Sequence, residues 1–208
     1  MIYCFDLDGT LTDPREGITK SIAHALERMG HEPPPLQQLE FAIGPPLRGT
    51  FAQLLCDDRR ESVERAIDYY RERYTAVGLF ENAPYPGIGD TLAGLRSAGA
   101  TLFVATSKPH TYATRIVEHF GLRPHFEFVH GSELDGTRDD KRELLAHILE
   151  QHGLDPAGTS MVGDRGVDMS AARHHGLTAI GALWGFGSRE ELLEAGAQRL
   201  CAGHAELL

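Results

Sequence analysis

The feature that most constrains this chain is its first dozen residues, Met1-Ile-Tyr-Cys-Phe-Asp6-Leu-Asp8-Gly-Thr-Leu-Thr12. The apolar run from Met1 to Phe5 stops abruptly at two acids, a glycine and a threonine. A run of that length reads as a buried strand, and the acid-Gly-Thr segment as the turn that ends it. Asp6 and Asp8 stand two residues apart, so at a strand end both carboxylates can converge above the sheet. In an open α/β sheet that is where ligands bind. Two ionised carboxylates sharing a site repel, so one pKa rises or a cation sits between them. The first outcome leaves an acid beside a base, and the second makes a hard oxygen site suited to Mg²⁺. A strand ending in a solvated acidic turn is the structural alternative for these residues taken alone.

Beyond this strand the signals turn helical. Ile18, Ile22, Ala25, Leu26 and Met29 recur at helical spacing, and Gly30 follows as a stop. Pro33-Pro34-Pro35 precedes a short helix around Leu36 to Phe41, and Leu47, Phe51, Leu54 and Leu55 restart the period. Val63, Ile67, Tyr70, Tyr74 and Val77 give a long apolar stripe of the kind that forms bundle core. Four helices in a row predict a small all-helical domain over residues 15–82, inserted between 1–14 and 83–208. From Gly87 onward strands and helices alternate. Strands are expected at Thr101–Ala105, Phe126–His130, Ser160–Gly163 and Leu177–Leu183, with an edge strand near Arg199. Ser188-Arg-Glu-Glu191 reads as a capping box. The fold class is therefore α/β, a doubly wound, parallel, Rossmann-like sheet carrying a helical insert.

Composition narrows the function. The 208 residues suffice for one well-cored domain with a small insert. A net charge of −10 argues against nucleic-acid polymers or an anionic membrane as the main partner, but leaves room for a small anionic substrate. Cys4, Cys56 and Cys201 are isolated, which suits reduced thiols in a cytoplasmic protein. No leader or bilayer-spanning apolar run is seen. The eleven histidines show no HxH or HExxH, so no zinc site is expected. No GxGxxG follows a strand, so dinucleotide binding is unsupported. Lysine occurs only at Lys20, Lys108 and Lys141, positions where a compact ammonium could be required.

Several strand ends carry chemistry. The first offers Asp6 and Asp8, the second Thr106-Ser107-Lys108, and the fourth Asp164 with Asp168 a helical turn on. Hydroxyls and an ammonium suit a phosphate or carboxylate. Lys141 opens the helix before the fourth strand, where its side chain can point back over the sheet. Singly these are ordinary caps and surface groups; in this order on successive units they form a constellation.

That constellation resembles the haloacid dehalogenase superfamily, specifically its phosphatase branch with a helical cap inserted after the first strand. Asp6-Leu-Asp8-Gly-Thr-Leu-Thr is similar to the first motif, Thr106 to the second, Lys141 to the third, and Gly163-Asp164-Arg-Gly-Val-Asp168 to the fourth. The resemblance implies that Asp6 is a nucleophile forming an aspartyl-phosphate, and that Asp8 serves as acid and then base. It implies Mg²⁺ held by Asp6, the Asp8 carbonyl and Asp164, with Asp168 acting through water. Thr106, Lys141 and the amides after Asp6, around Gly9, would hold phosphoryl oxygens, with Ser107 and Lys108 as further substrate contacts. An acid at Asp8 argues for an oxygen leaving group rather than halide. Phosphonate cleavage needs a Schiff-base lysine in the cap; Lys20 is the only cap lysine, and a simple contact with the substrate anion is its expected role.

Selectivity is expected from Lys20, the Ile43–Arg48 loop with Arg48, and the Trp184–Ser188 loop. Gly-Pro-Pro-Leu in the cap, Thr-Ser-Lys-Pro, Gly-Asp-Arg and Gly-Phe-Gly-Ser together resemble a subgroup of 5′-nucleotidases and phosphoglycolate phosphatases. A nucleoside 5′-monophosphate is the first expectation and phosphoglycolate the second. A sugar-phosphate mutase and a non-catalytic phosphate-binding module are the remaining alternatives. The sequence sets no oligomeric state.

Overall fold

Strand β1 (Ile2–Phe5) runs through the middle of a six-stranded sheet. The computed structural model describes residues 1–208. The sheet contains β4 (Thr101–Pro109), β5 (Phe128–Ser132), β6 (Thr159–Gly163), β7 (Thr178–Ala182) and β8 (Arg199–Cys201), in the order β5-β4-β1-β6-β7-β8. Every neighbouring pair is parallel. A two-stranded ribbon pairs β2 (Thr12–Asp13) with β3 (Ala83–Pro84).

Parallel strands buried on both faces need near-continuous apolar runs, and β1, β4 and β6 supply them. Phe5 is in register with Val104 on one side and with Val162 on the other. β1 and β6 thus end within a residue of each other while β4 runs on to Pro109, and the Asp6 amide donates to the Val162 carbonyl at 2.9 Å. The chain leaves β1 toward β4 on one side and later returns to β6 on the other. This switch in strand order opens the crevice in which such sheets bind ligands.

The helices of the sheet unit are α4 (Ile88–Ser97), α5 (His110–His119), α6 (Lys141–His152), α7 (Gly166–His175) and α8 (Arg189–Glu194). On one face Cys4, Phe103 and Met161 pack against Leu144, Leu145 and Ile148 of α6 and Met169 and Ala172 of α7. Burial of the Phe, Leu, Ile and Met side chains among them contributes roughly 1.5–3 kcal/mol each. Burial also pushes the Cys4 thiol up to about 12, so it stays protonated. No helix is long and apolar enough to cross a membrane.

The chain divides into two compact units, Met1–Asp13 with Pro84–Leu208, and Pro14–Ala83. The second contains α1 (Arg15–Arg28), α2 (Leu47–Leu55) and α3 (Arg60–Arg73), with a 3₁₀ segment at Leu36–Ala42 and a π turn at Tyr74–Gly78. Its core joins Ile18, Ile22 and Leu26 of α1 to Val63, Ile67 and Tyr70 of α3. Tyr70 stacks on Tyr74 at 5.0 Å, and Phe51 meets Tyr70 edge-on at 6.2 Å.

Some local readings shift. The third strand of the alternating region runs Phe128–Ser132 rather than Phe126–His130, because Arg123–His125 forms a 3₁₀ turn that delays it. The expected stripe helix through Val77 is α up to Arg73 and then widens into the π turn. Ser188 does accept from the Glu191 amide. Glu191 does not return the bond; its carboxylate accepts instead from the Gly166 amide at 2.7 Å and from Arg165 Nε at 3.0 Å. Half of the capping box is thereby replaced by a tertiary contact across to α7.

Candidate active site

Asp6, Asp8, Thr106, Lys141, Asp164 and Asp168 are all buried. Asp6 and Asp8 follow β1, Thr106 and Lys108 lie at the end of β4, and Asp164 follows β6. Lys141 and Asp168 come from the first turns of α6 and α7. Asp140 caps α6 by accepting from the Arg142 amide at 2.7 Å, which fixes where the helix begins and so where Lys141 stands.

Lys141 is the hub. Its Nζ donates to Asp6 Oδ1 at 3.0 Å and to the Ala105 carbonyl at 2.9 Å, and pairs with Asp168 Oδ1 at 2.8 Å. Burial pulls the ammonium's pKa down, but the charges of Asp168 and Asp6 outweigh it, and the group is held firmly protonated. Lys108 Nζ pairs with Asp8 Oδ2 at 2.7 Å. The other oxygen, Asp8 Oδ1, is buried without a hydrogen-bond partner. Burial raises the Asp8 pKa, with Lys108 opposing and Asp6 reinforcing the rise. That favours a proton on a carboxyl whose free oxygen can carry it.

Asp164 is the most enclosed acid. Thr10 Oγ1 donates to Oδ1 at 3.2 Å, and the Phe186 amide donates to Oδ2 at 2.8 Å. Gly9, in a left-handed conformation with φ of 82°, packs so closely on Asp164 that a Cβ there would strike its carboxylate. A Cβ on Gly185 would meet the Asp164 side chain, and one on Gly187 its carbonyl. Trp184 Nε1 completes the clamp by donating to the Thr10 carbonyl at 3.0 Å. Burial first, then the charges of Asp6 and Asp168, push the Asp164 carboxyl up to about 8. Asp168 rises to about 6, chiefly through burial, with Lys141 opposing.

Asp6, Asp164 and Asp168 bring carboxylate oxygens within 4.8 Å of one another. Four buried carboxylates face the two ammoniums of Lys108 and Lys141, so full ionisation would leave two negative charges in excess. Hard oxygen donors, an excess of two charges and upward-shifted carboxyls all fit a divalent cation such as Mg²⁺.

The remaining expected residues make contacts of their own. Thr106 Oγ1 accepts from the Lys108 amide at 3.2 Å, leaving its O–H to donate. Ser107 contributes its carbonyl, which accepts from Ser132. In the helical unit, Lys20 pairs with Glu16 and, at 3.5 Å, with Glu81, while Arg48 pairs with Glu64 at 2.7 Å. Sequence reasoning gave no role to Thr10 or to the Phe186 amide. It read Trp184–Ser188 as a selectivity loop, whereas its backbone packs on Asp164. The glycines at 185 and 187 were the available signal, because only a missing Cβ permits that approach.

The parallel sheet thus carries paired acids, two lysines and an acid triad at its switch point. A model of the family described as haloacid dehalogenase-like hydrolase matches residues 3–182, and the chain belongs to that family and is a phosphatase. It is 47% identical to a Pseudomonas aeruginosa protein named 5′-nucleotidase, over 98% of this chain and 91% of that one. It is 43% identical to the tyrosine-protein kinase PtkA of Mycobacterium tuberculosis, over 89% of this chain but 63% of that protein. Among solved structures, a predicted phosphatase from Clostridium acetobutylicum matches with a TM-score of 0.94 and 40% identity, covering 99% of this chain and 95% of that one.

Proposed function

We propose that the chain is a Mg²⁺-dependent phosphomonoesterase that works through an aspartyl-phosphate on Asp6 and acts on nucleoside 5′-monophosphates. The observation that carries the mechanism is the division of labour between two adjacent acids. Asp6 is ion-paired with Lys141, while Asp8 keeps a buried free oxygen and a raised pKa.

An Asp6 oxygen attacks phosphorus and the bond to the ester oxygen breaks. The electron pair goes to that oxygen together with the proton from Asp8. Water then attacks the phosphoryl group and passes a proton to Asp8, and the Asp6 carboxylate is released. Lys141 orients the nucleophile through Oδ1, and Thr106 offers its hydroxyl hydrogen to a phosphoryl oxygen. Lys108 sets how readily Asp8 gives up its proton. Mg²⁺ held by Asp6, the Asp8 carbonyl, Asp164 and Asp168 would screen the anionic nucleophile from the anionic phosphate. Thr10 and the Phe186 amide keep Asp164 aimed.

The relative named 5′-nucleotidase supports the nucleoside choice. The helical unit is read as a cap, with Lys20 and Arg48 as candidate selectors; each must loosen an existing ion pair to engage a substrate. The test is a phosphate-release screen with Mg²⁺ across nucleoside monophosphates, phosphoglycolate and sugar phosphates, with Asp6→Asn as control. A 5′-nucleotide should give the highest kcat/KM, and Asp6→Asn should lose at least about 1,000-fold in turnover. A preference for phosphoglycolate overturns the substrate, and unchanged turnover in Asp6→Asn overturns the nucleophile.

A further inference from the structure

A second cluster of metal-ligating side chains lies outside the acid–lysine site. His130 on β5 is buried, and its Nε2 stands 2.8 Å from Nε2 of His152, the last residue of α6. The two rings are nearly perpendicular, with centroids 5.0 Å apart. His147, also on α6, sits edge-on to His130 at 5.8 Å between centroids. Phe103 lies 4.7 Å from the His152 ring and Phe128 4.5 Å from that of His130, so the cluster has apolar walls. β5 is the edge of the sheet, and His147 and His152 are half-buried, which leaves an approach from solvent.

Two ring nitrogens at 2.8 Å share one proton, one ring donating and the other accepting. Burial, followed by His152, His147, His110 and Arg138, pushes His130 down to about 3, so it is neutral at ordinary pH. Arg138 is itself paired with Glu133, and His110 Nδ1 is engaged with the Val129 carbonyl at 3.0 Å. A neutral imidazole is the form that binds a metal.

We propose that His130 and His152, with His147 as a third ligand, bind a borderline divalent transition ion such as Zn²⁺, Ni²⁺ or Cu²⁺. Two imidazole nitrogens on one tetrahedral ion stand about 3.3 Å apart, so the pair need open by only about half an ångström. His147, edge-on to His130, would have to change rotamer to reach the same point. Imidazole selects these ions over Mg²⁺, which keeps the site chemically distinct from the carboxylate triad. The bound ion displaces the shared proton and ties edge strand β5 to the far end of the helix that begins at Lys141. His130 is also in register with Ala105, whose carbonyl accepts from Lys141.

The test is Cu²⁺ titration of the full chain in excess Mg²⁺, followed by electron paramagnetic resonance, with Ni²⁺ thermal shifts in parallel. The expected result is one equivalent of copper with at least two imidazole nitrogens, and a Tm raised by Ni²⁺. His152→Asn, checked for folding by circular dichroism, should weaken binding about tenfold or more. His147→Asn, at a half-buried position tolerant of change, should remove one nitrogen from the spectrum. His174→Asn, on the end of α7, should leave both readouts unchanged. Copper bound through oxygen alone, or nitrogen coordination unaltered in both His152→Asn and His147→Asn, overturns the proposal.

Discussion

The ion pairs at the sheet end and those of the helical unit join the same opposite charges in contrasting surroundings. The side chains of Lys141, Asp6 and Asp168 are 4%, 8% and 1% exposed. Those of Arg48 and Glu64 are 45% and 33% exposed, and those of Arg28 and Glu72 are 43% and 57% exposed. Water screens the second group, so each pair contributes little. Burial strips water from the first, so every charge there is felt by its neighbours and carboxyl pKa values climb. A chain does not assemble four buried carboxylates for stability, since replacing such groups by apolar ones is often neutral or favourable. The cost is tolerable where the charges do chemistry.

Substitutions on the two sides should separate the groups sharply. Lys141→Ala leaves Asp6 and Asp168 buried without their cation, and urea unfolding should record a loss of about 3–5 kcal/mol. A loss no greater than that of a surface pair would erase the contrast. Asp8→Asn keeps the shape but removes the transferable proton. Steady-state kinetics should show turnover down about 100-fold or more, with the fold intact. His130 stands between the extremes as a buried group without a carboxylate partner. Its pKa is depressed in the folded state, so the unfolded chain binds the proton more readily between pH 6.5 and about 3. Its contribution is fully present above pH 6.5 and is lost as pH falls through that window. Wild type should therefore lose stability relative to His130→Gln as pH drops from 7 to 4, and parallel curves would refute this. Arg48→Ala should change stability by less than about 1 kcal/mol, read from the same urea curves.

Much of this was legible in the order of residues. The apolar runs of β1, β4 and β6, each stopping at polar groups, placed Asp6, Asp8, Thr106 and Asp164 at strand ends, because a buried strand must give way to polar residues where it leaves the sheet. The helices α1 and α3 were legible from their apolar period. What escaped was set by contacts between distant segments. The Gly185 and Gly187 backbone closes on Asp164 from beyond β7, and nothing local announces it. Glu191 abandons its own helix cap for the Gly166 amide, a choice decided by the approach of α8 to α7. Lys108 follows Thr-Ser, and nothing local announces its pairing with Asp8.

The histidines show the same limit most clearly. Read along the chain, eleven of them carry no metal spacing. Folding brings His130 and His152 nitrogen to nitrogen because β5 lies alongside β4 and α6 crosses over both. The sequence by itself determined which residue types end each strand, and with them the family and the positions of the acids and lysines, since those follow from local periodicity and from spacings of two to four residues. Only the tertiary structure decided which ammonium faces which carboxylate, how far water is excluded, and which histidines meet. Those depend on strand order and helix packing, which join residues as far apart as Lys141 and Asp6, 135 positions along the chain.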